Sequence, residues 1–267
     1  MTDSYANGQN GEVVKRAGTV QSVSIASRFL NVLAHADGPL ALGVLARRAG
    51  TGNSTAHRYI QSLVKEGLAR QDAQSGLYDL GPAALNIGIA ALKRIDPIEI
   101  AAEFMKDLAS RTAMAGGVAV WTERGPTVVR WYRSPYFSFT SVALGDVLPV
   151  DNTASGLIFQ AFLPDSQIKV ARDRQPEPFR GRPHDQEELD EIRRSCWSEL
   201  TGHLASNVTG QAVPVFDAQG EIACALTTVT NFGESTKQEE RMALYEVAKQ
   251  VAIETGSIDF FCKRSCS

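Results

Sequence analysis

Several features that define whole classes of protein are scarce or missing in this 267-residue sequence. Its four cysteines, Cys196, Cys224, Cys262 and Cys266, are dispersed or terminal, so we expect reduced thiols and no disulfide framework. The terminal pair has no other cysteine or histidine nearby, which favours a plain tail over a metal site. No apolar run approaches the roughly 18 residues that a membrane span requires.

Export signals and catalytic motifs are absent as well. The residues before Val20 are polar and lack the apolar core of a signal peptide, so we expect a cytoplasmic protein with no membrane partner. There is no Gly-x-Ser-x-Gly elbow, Walker loop, Gly-x-Gly-x-x-Gly or His-Glu-x-x-His motif. The four histidines share no ligand spacing. These absences predict a protein without catalytic residues, metal or cofactor.

Charge is present but unevenly distributed. Residues 15–70 contain eight basic and two acidic residues, a net charge of +6, although the whole sequence carries −3. This asymmetry is expected where one end of a protein meets phosphate groups. A solvated basic face is the alternative, and the local pattern has to separate the two.

Three short helices are predicted within this basic segment. Apolar residues recur at helical spacing from Ala26, from Leu42 and from Ala56. The turn Gly50-Thr51-Gly52 joins the second and third helices as in a helix-turn-helix, and Thr51 or Asn53 is placed to cap the third helix. A hairpin, or wing, is predicted next. Four elements in this order and length predict a winged helix-turn-helix domain.

The polar face of the third helix predicts contact with DNA. A recognition helix uses its N-terminal turns in the major groove, and Arg58 can grip O6 and N7 of a guanine. Ser54 and His57 are placed to reach base edges as well, whereas Thr55 and Lys65 can hold phosphate. An exposed polar helix face without a partner is the alternative. The predicted DNA-binding residues are Arg28, Ser54, Thr55, His57, Arg58, Gln61 and Lys65.

A further helix begins at Gly81-Pro82 and has no charged residue over positions 83–92. Its apolar side chains point in several directions, so it must be covered on more than one face. The same helix of a second subunit would provide that cover and give a two-fold dimer. Burial between two domains of one chain is the alternative.

Beyond this helix the pattern changes to that of an α+β domain. Because strands and helices do not alternate strictly, we expect an antiparallel sheet rather than a Rossmann fold. The predicted strands lie at residues 118–121, 127–132, 137–142, 212–216 and 222–229, and the predicted helices include residues 153–163 and 186–197.

A candidate ligand site lies where an extended segment enters a helix, at residues 148–156. The N–H groups and dipole of a helix start favour an anion, although an ordinary N-cap is the simpler explanation of Thr153. Thr227 and Val229 share one face of a later strand because side chains alternate. If that face lies against the helix start, Leu148, Ala154 and Val229 wall a pocket, with Ser155 and Thr227 as donors. Such a pocket suits a small carboxylate or semialdehyde.

Five short motifs carry a resemblance to a known family. They are Leu45-Ala46-Arg47-Arg48-Ala49-Gly50, Ser54-Thr55-Ala56-His57-Arg58 with Leu63 and Gly67, Gly76-Leu77-Tyr78-Asp79-Leu80-Gly81, Pro149 with Thr153-Ala154-Ser155-Gly156, and Ala212-Val213-Pro214-Val215-Phe216-Asp217 with Gly220. With them, residues 19–258 resemble the IclR family of bacterial transcriptional regulators. The resemblance implies a winged-helix domain, a linker helix and a GAF-like effector domain, assembled as homodimers or homotetramers. It also implies repression of catabolic genes until a small organic acid or aromatic metabolite binds, with effector contacts at Leu148, Ala154, Ser155 and Thr227.

Two positions depart from that family's pattern. Leu157 follows Gly156 where the family often has lysine, and the stretch at 203–214 lacks a common acidic residue. Asn207 is the nearest polar substitute, and we include it with Leu148, Thr153, Ala154, Ser155, Thr227 and Val229 as predicted effector-binding residues.

The sequence therefore predicts a ligand-responsive regulator that binds double-stranded operator DNA and acts as a repressor. The predicted organisation is a disordered tail at 1–18, the winged domain at 19–81, a linker helix at 82–96 and an effector-binding domain at 97–267. The alternatives are a transcriptional activator, an enzyme tethered to nucleic acid, and a winged-helix module that binds protein.

Overall fold

The protein divides into two compact units, Met1–Lys93 and Arg94–Ser267, in the computed structural model. The structure describes residues 20–135, 142–182, 184–202, 208–231 and 238–265, without the side chains of 231 and 262–265. Four predicted features lie outside the described residues: the N-terminal tail, nearly all of the strand at 137–142, Asn207, and the side chains of Cys262 and Cys266.

The first unit has the predicted winged helix-turn-helix architecture. The apolar stripes of its first three helices meet in one core, in which Phe29, Leu45 and Ile60 are fully buried. The two short strands pair antiparallel and form the wing. Its elements are α1 (Gln21–Ala34), α2 (Leu42–Arg48), α3 (Asn53–Lys65), β1 (Ala69–Gln71), β2 (Tyr78–Leu80) and α4 (Pro82–Leu92).

The turn between α2 and α3 depends on glycine. Gly50 has a φ of 67°, in the left-handed region where a side chain is strained. The predicted capping of α3 by Thr51 or Asn53 is wrong. The N-cap position is Gly52, without a side-chain hydrogen bond, and Asn53 already lies in the first turn of the helix. The Thr51 hydroxyl instead donates a long hydrogen bond, 3.5 Å, to the Ala46 carbonyl.

The second unit is an α+β domain built on an antiparallel sheet. Among the described residues the strand order is β4-β3-β7-β6-β5. Its elements are α5 (Pro97–Arg111), β3 (Ala115–Thr122), β4 (Gly125–Tyr132), α6 (Ala154–Phe162), α7 (Asp165–Arg174), α8 (Gln186–Ser195), β5 (Ser198–Thr201), β6 (Val208–Phe216), β7 (Ile222–Asn231), α9 (Gln238–Glu254) and α10 (Ile258–Ser265).

Helices cover both faces of this sheet. Val213 and Leu226 point to one face, where they pack in a core shared with α5 and α9. Ala212 and Ala225 point to the other face and pack against α6. The alternation of strand side chains therefore builds two apolar layers from one sheet.

A buried segment, residues 148–151, leads into α6, and side chains satisfy its backbone. The Leu148 carbonyl accepts a hydrogen bond from Gln175 Nε2 at 2.9 Å, and the Val150 carbonyl accepts one from Gln160 Nε2 at 2.8 Å. The Thr153 hydroxyl donates to the Pro149 carbonyl at 2.7 Å. Buried backbone groups need partners, so these side chains fix the path of the segment.

An ion pair anchors the end of the same segment. The Asp151 side chain is 2% exposed, and Arg172 on α7 donates to it from Nε and Nη2, with an Nη2–Oδ1 distance of 2.7 Å. Arg172 Nη2 also donates to Gln160 Oε1 at 3.1 Å, and His184 Nε2 lies 3.1 Å from the Asp151 carbonyl oxygen. Two helices and a loop thus hold the residues that precede α6.

We predict that Arg172→Met lowers the free energy of unfolding by about 3 kcal/mol, because it leaves the Asp151 carboxylate buried without its cation. Urea denaturation measures the change. Arg174→Met is a matched control on the same helix, because Arg174 pairs with the largely exposed Glu123. Its effect should be small. Similar losses for the two variants would contradict the anchoring role of Arg172.

Candidate nucleic-acid interface and ligand cavity

The outer face of α3 carries the predicted DNA-binding side chains. Ser54, His57, Arg58, Gln61 and Lys65 are all exposed. Thr55 is half-buried, while Ala56, Ile60 and Leu63 on the opposite side of α3 are buried in the core. The helix therefore presents a continuous polar surface of the size that enters a major groove.

Two neighbouring contacts shape this surface. The Arg58 guanidinium lies 5.8 Å from the centroid of the Tyr59 ring, a cation–π distance. Gln61 Nε2 donates to the Tyr78 hydroxyl at 3.4 Å, so this amide faces the wing strand β2. Arg28, also exposed, extends from α1 towards the turn at Gly50. Gln61 therefore already has a hydrogen-bond partner on the wing, whereas the Arg58 guanidinium packs beside the Tyr59 ring.

The wing is held by short-range electrostatics. Arg70 on β1 donates to Asp79 on β2 at 2.8 Å, and this hydrogen bond lowers the pKa of Asp79 below its ordinary value. At the tip, hydrogen bonds from the backbone and hydroxyl of Ser75 lower the pKa of Asp72. Both carboxylates stay charged at neutral pH and tie the hairpin together.

The second unit contains a small cavity at the start of α6. Its volume is about 40 Å³, enough for about three water molecules or a carboxylate-sized group. None of the lining residues within the described ranges has a charged side chain. The lining residues are Trp131, Val142, Leu148, Asn152, Thr153, Ala154, Ser155, Leu200, Val208, Gly210, Thr227 and Val229.

The cavity brings together six of the seven predicted effector-binding residues, namely Leu148, Thr153, Ala154, Ser155, Thr227 and Val229. Asn207 lies outside the described residues. The sequence analysis did not assign Trp131, Leu200, Val208 or Gly210 to the site. Of these four residues, only Trp131 lies in a predicted strand. The register of the sheet is needed to place all four at the cavity.

That register explains why Trp131 and Thr227 share the cavity. Directly paired residues on neighbouring strands point to the same face of a sheet. Trp131 on β4 pairs with Gly117 on β3, and Gly117 pairs with Thr227 on β7. Because glycine has no side chain, nothing from β3 stands between the indole and the Thr227 side chain.

Hydrogen bonds within the chain decide which groups can serve a ligand. The Thr153 hydroxyl donates to the Pro149 carbonyl and accepts from the Gly156 N–H, so it acts as an N-cap. The Thr227 hydroxyl donates to the Gln211 carbonyl at 3.0 Å. Its expected role as a donor in the pocket is therefore wrong for this state, and only its lone pairs remain free.

Two lining residues instead have buried side-chain donors without partners. Ser155 Oγ and Trp131 Nε1 make no hydrogen bond within the described part of the chain. An unsatisfied buried donor costs about 1–3 kcal/mol. The N–H groups of Ala154 and Ser155, in the first turn of α6, have no hydrogen bond among those described either, as helix geometry requires. Two residues that line the cavity therefore hold buried donors without a partner in the described chain, available to a ligand or water.

The described residues contain no group of three or more His, Cys, Asp or Glu side chains arranged to hold a metal ion. Burial raises the pKa of the Cys224 thiol far above its usual value, so this thiol stays protonated. None of the helices within the described ranges has the length and apolarity to cross a membrane.

Comparison with known proteins places both units in one family. The family model described as the IclR helix-turn-helix domain matches residues 22–73, and the model described as the bacterial transcriptional regulator IclR C-terminal matches residues 89–255. The crystal structure of Pseudomonas aeruginosa HmgR has a TM-score of 0.79 and 30% identity, covering 89% of this chain and 98% of that chain.

Two curated relatives agree. The glycerol operon regulatory protein of Streptomyces griseus is 30% identical over 154 residues, which are 58% of this chain and 61% of the relative. The transcriptional repressor IclR of Escherichia coli (strain K12) is 26% identical over 153 residues, 57% of this chain and 56% of the relative. These matches span less than two thirds of each relative's length. The predicted two-domain α+β fold is confirmed, and the chain belongs to the IclR family of bacterial transcriptional regulators.

Proposed function

We propose that this protein represses a catabolic operon by binding its operator through α3, and that a small organic acid or related metabolite in the α6 cavity releases the DNA. The cavity carries this proposal, because it holds unpartnered donors in a chain that also presents an exposed recognition-helix face. The relatives' names, a glycerol operon regulatory protein and a transcriptional repressor, support an operon-specific role. The proposal includes no catalytic step and places the protein in the cytoplasm with its DNA.

The DNA contacts follow from the exposed face of α3. Ser54, His57 and Arg58 reach base edges, whereas Thr55 and Lys65 hold phosphate and Arg28 supports the backbone contact from α1. Gln61 has a smaller role, because its amide is turned towards Tyr78 on the wing.

Arg58→Ala tests the base contact. We expect it to weaken operator binding by about 1–3 kcal/mol per half-site, with little change on random duplex, because a guanine contact is sequence-specific. Fluorescence anisotropy at several salt concentrations measures both affinities. Lys65→Ala is the contrasting variant and should weaken the two duplexes alike while lowering the salt slope by about one. Equal losses for Arg58→Ala on operator and random DNA would make Arg58 a phosphate contact.

We also propose that α4 is the dimerisation helix. Its large apolar side chains, Leu85, Ile87, Ile89 and Leu92, are 64%, 62%, 41% and 52% exposed in the single chain. Apolar exposure on this scale along one helix marks an interaction site, and a two-fold axis lets the same helix cover itself. A dimer also supplies two recognition helices for two operator half-sites.

Ile89→Glu should therefore dissociate the dimer, because an unpaired buried charge costs several kcal/mol. Sedimentation velocity measures the oligomeric state. Val170→Glu, at a similarly exposed apolar position on α7, is the matched control and should leave assembly unchanged. An unchanged oligomer for Ile89→Glu would reject α4 as the interface.

The effector role of the cavity has a test that separates ligand contacts from structural ones. Ser155→Ala should reduce affinity for the effector and keep the melting temperature, since the Ser155 hydroxyl has no partner to lose. Thr227→Val should lower the melting temperature, because it removes the hydrogen bond to the Gln211 carbonyl. Calorimetry with acetate, malonic semialdehyde and benzoate, one compound from each candidate class, measures binding, and anisotropy with operator DNA measures release. DNA affinity that increases with a bound acid would indicate an activator or a co-repressed system instead.

A further inference from the structure

We propose that the indole N–H of Trp131 and the hydroxyl of Ser155 together bind the oxygen of a carboxylate or carbonyl head group, so that Trp131 determines which ligands the cavity accepts. The inference rests on the proposed function only in using the same cavity. It adds Trp131 as a donor to the head group, a role that neither the sequence analysis nor the relatives assign.

The first step is the burial of Trp131 Nε1. Trp131 lines the cavity on β4, opposite the start of α6, and its Nε1 is buried without a partner in the described chain. A buried indole N–H normally finds an acceptor. The Ser155 hydroxyl, whose residue is 1% exposed, lines the same cavity and is in the same condition.

The second step is the shortage of alternatives. The hydroxyls of Thr153 and Thr227 give their hydrogens to the carbonyls of Pro149 and Gln211, and Asn152 Nδ2 points to the Phe179 carbonyl. Among the described lining side chains, the buried donors without a partner are Trp131 Nε1 and Ser155 Oγ, and the first N–H groups of α6 lie beside Ser155. A ligand that enters this set must present acceptors.

The third step concerns charge and size. Because the described part of the lining contains no lysine, arginine or acid, the cavity discriminates by hydrogen-bond polarity and by the dipole of α6, which favours negative charge at its start. Its volume of about 40 Å³ matches a carboxylate-sized head group. The arrangement selects a single compact anionic or carbonyl head and rejects ammonium groups, which have only donors.

The indole N–H resonances test this directly, because the chain has three tryptophans. In an ¹⁵N-labelled full-length protein, acetate should shift the Trp131 indole resonance in a saturable manner, acetamide should shift it with lower affinity, and methylammonium should leave it unchanged. The Trp197 indole is an internal control, because its Nε1 is also buried without a partner in the described chain but Trp197 does not line this cavity. Assignment uses the Trp→Phe variants.

Variants provide a second readout. Trp131→Phe should weaken acetate binding about tenfold or more, the effect of losing one hydrogen bond to a charged group, while Trp197→Phe should not change it. Gly210→Ala should also weaken binding, because its added Cβ meets no atom within 4 Å and so occupies cavity space without a clash. Thermal melts of each variant without ligand verify folding.

An unshifted Trp131 resonance at saturating acetate, or unchanged acetate affinity in Trp131→Phe, would overturn the inference. So would a methylammonium response equal to that of acetate. If acetate binds through Trp131 but operator affinity does not respond to it or to larger acids, the head-group site stands and the proposed repressor mechanism fails.

Discussion

The buried carboxylate of Asp151 constrains the whole ligand site. Asp151 ends the buried segment 148–151. The carbonyl groups of this segment accept hydrogen bonds from side chains instead of from a neighbouring strand. Arg172 neutralises the carboxylate and at the same time orients Gln160, which in turn holds the Val150 carbonyl. One ion pair therefore fixes where α6 begins, and the start of α6 forms one wall of the cavity.

Segment 148–151 passes so close to the first turn of α6 that this turn requires small residues. A Cβ on Gly156 would lie 2.1 Å from the Val150 carbonyl oxygen, so only glycine lets the segment cross the helix there. Ala154 and Ser155 continue the run of small side chains and leave the space that becomes the cavity. The helix start thus combines a tight backbone crossing with open volume, which larger residues would remove.

Local patterns in the sequence predict the winged unit well, but they do not show which distant strands pair with each other. Apolar spacing within a dozen residues predicts the helices that begin near Ala26, Leu42 and Ala56, and the turn predicts the hairpin. By contrast, the sequence analysis did not predict β5, which has only four residues. The helix predicted through residue 197 ends at Ser195, because Cys196 adopts a left-handed φ of 50°. Short elements and single backbone reversals leave no periodicity to read.

The ligand site divides in the same way. Thr153 to Gly156 was predictable, since a helix start has a recognisable sequence and a known chemistry. For Trp131 the sequence favours a core role over a place in the pocket, because its position depends on the register of β4 on β3 and of β3 on β7, with Gly117 between. The Thr227 hydroxyl also looked like a donor until its bond to Gln211 was known. Whether a donor is free is known only when all its hydrogen-bond partners are known, and these partners lie far apart in the sequence.

In the proposed mechanism, cavity size links ligand binding to conformational change. The cavity has a volume of about 40 Å³, so an effector longer than its head group would displace part of the apolar wall, which includes Val142, Leu148 and Leu200. A ligand shifts an equilibrium only by its differential affinity for two states. Under the proposal, the unpartnered donors contribute affinity for the head group, and the displacement of the wall determines how strongly binding favours the ligand-bound state.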